Sequence, residues 1–194
     1  MNTKLPITRE KAWQLVKKYN SDEKDLIHYL ESEAIMKAIA KLLGEDEDYY
    51  GMLGLLHDID WGVTKDNTKT HLTKAPEILK EAGFNEKFIQ TIISHGYGFD
   101  CANLLDKKRT EKIEHILAAS ETLTGIIHAY ALMRNKKITD MEVKGLKKKF
   151  NDNRFAAGCN RDIIREIESI ISLDEFFKVA IEAIKKIKNI AGLE

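Results

Sequence analysis

Two prolines in 194 residues leave few points at which a helix must break, and only 11 glycines add to them. That scarcity favours a mostly helical chain. There are two cysteines, Cys101 and Cys159, far apart in sequence. They form no metal-spaced pair and no disulfide framework, so free thiols are expected. Neither sign of charge is in excess. Lys+Arg and Asp+Glu are 31 each, which argues against a dedicated nucleic-acid binder. The apolar runs read as short and interrupted by charge, so no membrane span is expected. The N-terminal stretch MNTKLPITREKAW has no apolar signal core, and a cytoplasmic protein is expected. No Walker loop, dinucleotide fingerprint, repeat or low-complexity tract appears. No alternating run with hairpin signals marks a strand.

What is present is ordinary globular composition, 43% hydrophobic and 32% charged. Length and the lack of a linker point to a single domain over 1–194. Helical spacing runs through every major segment. A first helix follows Thr8 to Lys18. A second, capped by Ser21, carries Leu26, Ile27, Leu30, Ala34, Ile35, Ala38, Ile39 and Leu42 and stops at Gly44. Acids 45–48 open a third, expected to reach about Asp60, and a polar loop fills 61–73. Helices follow near 76–82, 85–94, 110–133, 139–149, 163–171 and 174–190, with loops at 96–109 and 151–160. The class is all-α, with Leu30, Ile35, Leu53, Leu56, Ile116, Leu117 and Leu123 in its core. Charge is uneven: residues 21–60 hold 11 acids against 3 bases, and 134–154 hold 8 bases against 3 acids.

Histidine carries the chemical signal. His57 and Asp58 are adjacent at the end of an apolar helix, in LLHDIDW. A carboxylate there is costly to bury alone, and a metal ion bound by both side chains removes that cost. Imidazole plus carboxylate suits Mn, Fe, Zn or Ni. An equally physical alternative has Asp58 capping a loop and His57 packed at a helix end. His28, at the edge of the preceding helix's apolar stripe, can meet His57 if the two helices are antiparallel.

The segments LIHYLESEAIMKAIAKLLG, LLHDIDW and HLTKAPEILKEAGF together resemble the HD superfamily of metal-dependent phosphohydrolases, most nearly its small HDIG-type members. IISHGYG, ILAASETLTGIIHAYAL and KKKFNDNRFAAGCNRD extend the likeness over about Asp25 to Asp162. The resemblance implies an HD-type helical bundle over about 25–135 with a C-terminal helical extension over about 136–194. It implies a metal held by His28, His57, Asp58 and Glu121, the last standing where the family has aspartate. An alignment on Ala118-Ala119 puts Ser120 there instead. The HD motif continues as Asp60 where many members have glycine. Asp58 or Asp60 would orient water.

His71 and His95 fall on further family landmarks. They read as contacts to a substrate phosphate, as side chains that merely line the mouth, or as holders of a second metal with Asp58 as the only available bridge. Lys149 and Arg154, with Lys147, Lys148 and Arg161 beside them, read as phosphate-binding cations of the tail, or as an exposed helix face with no ligand. Gly125 and His128 share the face of Glu121, with His128 packing near the site; His115 is given no role. The function implied is hydrolysis of a small phosphorylated molecule, a nucleotide or a relative, with a divalent ion (Mn, Fe, Ni, Co, Zn or Mg). The alternative is an HD-fold metal- or nucleotide-binding protein with weak or no turnover. No membrane or nucleic-acid partner is expected, and the oligomeric state is open.

Overall fold

A computed structural model describes residues 4–194. The first three residues of the N-terminal stretch MNTKLPITREKAW lie outside them. Among the described residues the regular structure is all helical, with no strand. In order come α1 (Arg9–Tyr19), α2 (Glu23–Leu43), α3 (Glu47–Leu56), α4 (Trp61–Thr64), α5 (Ala75–Glu81) and α6 (Glu86–Ile93). After them lie α7 (Lys112–Met133), α8 (Val143–Phe150), α9 (Arg161–Arg165) and α10 (Leu173–Lys186). Short 3₁₀ turns occupy Thr68–Thr70, Ser94–Gly96 and Glu166–Ser169.

Side-chain acceptors set most of the starts. Thr8, Asp22, Asp46, Asn85, Asn160 and Ser172 each accept a first-turn N–H, and Glu111 and Glu114 form a capping box for α7. Ser21 was the expected cap of α2. Asp22 takes that place, because its charged oxygen also complements the helix dipole. Gly44 closes α2 in the left-handed conformation at φ 70°. α3 ends at Leu56 rather than near Asp60, and residues 57–60 form successive turns. The expected loop 61–73 holds α4 and a 3₁₀ turn, anchored by Thr64 Oγ1 donating to the Asp60 carbonyl at 2.9 Å. The basic helix begins at Val143, not Thr139.

α2 is the hub and packs on α3, α7 and α10. Ile35, Leu53, Leu56, Ile116, Leu117 and Leu123 are fully buried. Leu30 only borders the core, and Leu42, in the last turn of α2, is exposed. α8, α9 and α10 pack back onto α7 and α2. α7 corrects the expectation about apolar runs. It is long and apolar enough to cross a membrane by length and composition, and 56% of its most apolar window is buried inside the fold. Its burial against α2, α8 and α9 is that of a core helix.

Candidate metal centre

Gly54 decides how closely α2 and α3 approach. A Cβ there would lie 2.6 Å from the Ser32 carbonyl oxygen, so a larger residue must displace backbone. The close crossing sets His57, one turn on, against α2, where His28 Nε2 and His57 Nε2 lie 3.0 Å apart. The turn after α3 then carries Asp58 between two pairs of histidines. Its Oδ2 is 3.5 Å from His57 Nε2 and 3.9 Å from His28 Nε2. Its Oδ1 is 3.2 Å from His71 Nε2 and 3.1 Å from His95 Nε2. His71 and His95 face each other Nε2 to Nε2 at 3.3 Å. Among the described residues two groups have metal-holding spacing: His28, His57 and Asp58, and Asp58, His71 and His95. Asp58 is common to both.

The opposite ring nitrogens fix the protons. His57 Nδ1 donates to the Gly54 carbonyl at 2.8 Å and His95 Nδ1 to the Ile92 carbonyl at 2.7 Å. His71 Nδ1 donates to Asp60 Oδ1 at 3.1 Å. Thr124 Oγ1 spends its own hydrogen on the Glu121 carbonyl, so it accepts from His28 Nδ1 at 2.8 Å. Carbonyls and carboxylates only accept, so each neutral ring carries its proton on Nδ1. All four Nε2 lone pairs then converge on a carboxylate. Five acceptors at 3.0–3.9 Å repel one another unless positive charge sits among them. Such a donor set, with every imidazole oriented from behind, fits divalent transition-metal ions.

The titration behaviour agrees. Burial drives His57 down to about 3 against the pull of Asp58, keeping the imidazole neutral. Burial alone would raise Asp58, but His57, His71 and His95 hold it well below the usual carboxylate range. Burial also opposes charge on His71, yet its hydrogen bonds to Asp58 and Asp60 lift it to about 10. The cluster thus draws positive charge onto His71.

Asp60 is placed differently from the expectation. It is fully buried and does not line the cavity. Oδ1 accepts from His71 Nδ1 and Leu72 N, both at 3.1 Å; Oδ2 accepts from Lys74 N at 2.9 Å and Ala75 N at 3.1 Å. With both oxygens committed it holds the His71 loop, including Leu72 at φ 66°, rather than a water.

Glu121 lines a cavity of about 470 Å³ with Asp58, His71 and His95. It also lines a smaller one with His28 and Cys159. Its carboxylate accepts from Thr122 Oγ1 and belongs to neither metal-spaced group. Burial pushes its carboxyl up, while His95 and His28 pull the other way. Ser120 is wholly buried and lines neither cavity. Of the expected stripe, Gly125 meets Cys159, whose Sγ would lie 2.7 Å from a Cβ there. His128 instead donates from Nδ1 to the buried Glu31 at 2.7 Å.

The tail cations are not brought to the cluster. Lys149 Nζ lies 4.9 Å from the Phe155 ring centroid, and Arg154 is 94% exposed beside Asp152. Neither lines either cavity. Lys147 pairs with Asp174 at 2.6 Å. Arg161 spends its guanidinium on the carbonyls of Phe150, Phe155, Ala156 and Cys159, which organises the 151–160 loop. Cavity residues that the sequence reading passed over are Trp61, Lys69 and Phe99. A place inside a polar loop was the only signal for the two aromatics, and Lys69 gave none. Thr124 and Arg109 gave none.

A family model of the HD domain matches residues 25–128, a span that contains the four histidines of the cluster, Asp58 and Glu121. No solved structure matches the chain. HD domains are typically metal-dependent hydrolases and bind divalent metals. With more than half of its length matched and the His/Asp cluster assembled, the chain belongs to the HD-domain family.

Proposed function

We propose that the protein is a metal-dependent phosphohydrolase acting on a small phosphate ester, a nucleotide or a related phosphorylated molecule. In this reading His28, His57 and Asp58, with Glu121 closing in, hold one divalent ion, and Asp58, His71 and His95 hold a second. The observation that carries it is the convergence of the Nε2 atoms of four histidines on the two oxygens of Asp58. When bound, such ions lower the pKa of water and withdraw charge from phosphoryl oxygens.

The chain's own groups do the rest. Asp58, ionised by its histidines, gives one oxygen to each half of the centre. The Nδ1 hydrogen bonds keep the four rings aimed without reorganisation. Trp61 and Phe99 offer apolar walls for the non-phosphate part of the substrate, and Lys69 stands at the same cavity as a cation for phosphate. The cavity volume suits a ligand of nucleotide size. This takes the phosphate-contact role away from Lys149 and Arg154.

The alternative, a binding protein with little turnover, draws on one observation: Glu121 is hydrogen-bonded to Thr122, outside both metal-spaced groups. A panel of nucleotides and other phosphate esters, assayed with Mn, Fe, Co, Ni, Zn or Mg, separates the two. The proposal expects turnover that chelation and Asp58→Ala both abolish. Stoichiometric metal with no turnover of any ester would instead select the binding protein.

A further inference from the structure

Arg109 lies in the irregular segment before α7, and its side chain is only 6% exposed. Its Nη1 donates to the carbonyls of Ser94 at 2.9 Å, His95 at 3.3 Å and Tyr97 at 3.0 Å. These belong to the 3₁₀ turn that ends α6 and the residue after it. Ser94 O also accepts from Tyr97 N within the turn, and carbonyls at a helix end otherwise look outside the helix for donors. The other edge of the guanidinium meets Glu166 in a two-point fork, Nε to Oε2 at 2.7 Å and Nη2 to Oε1 at 2.8 Å. His115 Nδ1 adds a third bond to Glu166 Oε2 at 2.7 Å.

Glu166 sits in the 3₁₀ turn after α9, beyond the residues matched to the HD domain. The C-terminal segment therefore reaches back, through one buried arginine, to the backbone of the residue whose Nε2 lies 3.1 Å from Asp58. His95 needs such support. It stands on a single 3₁₀ turn followed by an irregular loop in which Ala102 and Asn103 take positive φ. Behind the ring, Nδ1 donates to the Ile92 carbonyl, while Nε2 on the other side meets Asp58 and His71.

We propose that Arg109 and Glu166 are positioning residues that hold the His95 backbone, and through it the second half of the metal centre. The metal part of this statement rests on the two-ion reading of the proposed function; the placement of His95 does not. Lysine at 109 keeps the charge but cannot span three carbonyls and a carboxylate. Alanine at 166 leaves the guanidinium unpaired, whereas glutamine keeps an acceptor.

The test compares the parent with Arg109→Lys, Glu166→Gln and Glu166→Ala. The ring-nitrogen NMR signals of His95 and His57 are read in metal-free protein, and Mn²⁺ binding is read by calorimetry. In Arg109→Lys and Glu166→Ala the His95 signals are expected to shift or broaden while those of His57 stay. Affinity for the second Mn²⁺ should fall roughly 10- to 100-fold, as for loss of an outer-shell partner, with the first unchanged. Glu166→Gln should fall between these variants and the parent. A parent that binds one Mn²⁺ would sink the two-ion reading, and the His95 signals would then decide the positioning alone. Unchanged His95 signals in Arg109→Lys and Glu166→Ala overturn the proposal. So does equal movement of His57 and His95, which marks a general loosening. Should Glu166→Ala not fold, the His95 signals of Arg109→Lys and Glu166→Gln decide between the same two outcomes.

Discussion

His28 and His57 meet Nε2 to Nε2 at 3.0 Å, and in their neutral forms neither nitrogen has a proton to offer the other. The contact exists because Gly54 lets α3 close on the backbone of α2. Gly54→Ala should therefore act on stability and site together. A methyl 2.6 Å from a backbone oxygen must push the helices apart, which costs roughly 1–3 kcal/mol as overpacking does, despite the better helix propensity of alanine. Urea denaturation reads the first effect. A metal titration reads the second, as weaker binding at the His28–His57 half.

Asp60 supplies the clearest stability test. It is fully buried with four hydrogen bonds. Asp60→Ala strands three backbone N–H groups and the His71 ring, and should cost roughly 3 kcal/mol or more at about 1–3 kcal/mol for each unsatisfied buried group. Asp60→Asn should also destabilise, since its NH₂ faces donors. Asp66→Asn, on an exposed residue nearby, should stay within roughly 0.5 kcal/mol. Chemical denaturation of the three variants checks the order.

The His128–Glu31 pair predicts a pH effect. The hydrogen bond to Glu31 raises His128 above its ordinary 6.5 despite partial burial. A raised folded value means the stabilisation is complete below the unfolded value and fades as pH climbs through the folded one. The stability gap between the parent and His128→Gln should therefore be widest near pH 6 and narrow above neutrality. A gap that widens with pH would contradict the assignment.

The helical class, the caps at Thr8 and Gly44 and the six fully buried core positions were legible because periodicity and capping are local signals. His28, His57 and Asp58 were legible because their types are rare on an apolar helix. The rest depended on distance in sequence. Nothing local tells Asp60 from a solvated acid; the four donors that surround it come from residues 71–75. The proton positions on the four rings depend on Gly54, Ile92, Asp60 and Thr124, three of them unremarkable as sequence. The basic tail misled because a charge run looks alike whether it binds phosphate or lies over Phe155 and Tyr130.

Glu121 and Ser120 were the two candidates for one ligand place. Glu121 faces the cavity and Ser120 is buried away from it. Glu121→Ala should weaken metal binding by about tenfold or more, since an anionic neighbour of the ion is lost, at the scale seen when a metal's supporting carboxylate is removed. Ser120→Ala should leave binding within twofold or so of the parent, because the group is remote from the cavity. Calorimetric titration of both variants reads the difference.

The two-ion centre bridged by Asp58 is tested most directly by metal stoichiometry. The protein would be loaded with Mn²⁺, freed of excess ion and analysed for manganese per chain, beside His57→Ala, His95→Ala and Asp58→Ala. The account predicts two ions in the parent, one in either histidine variant and almost none without the shared carboxylate. A parent that holds none, or an Asp58→Ala variant that still holds two, would contradict it.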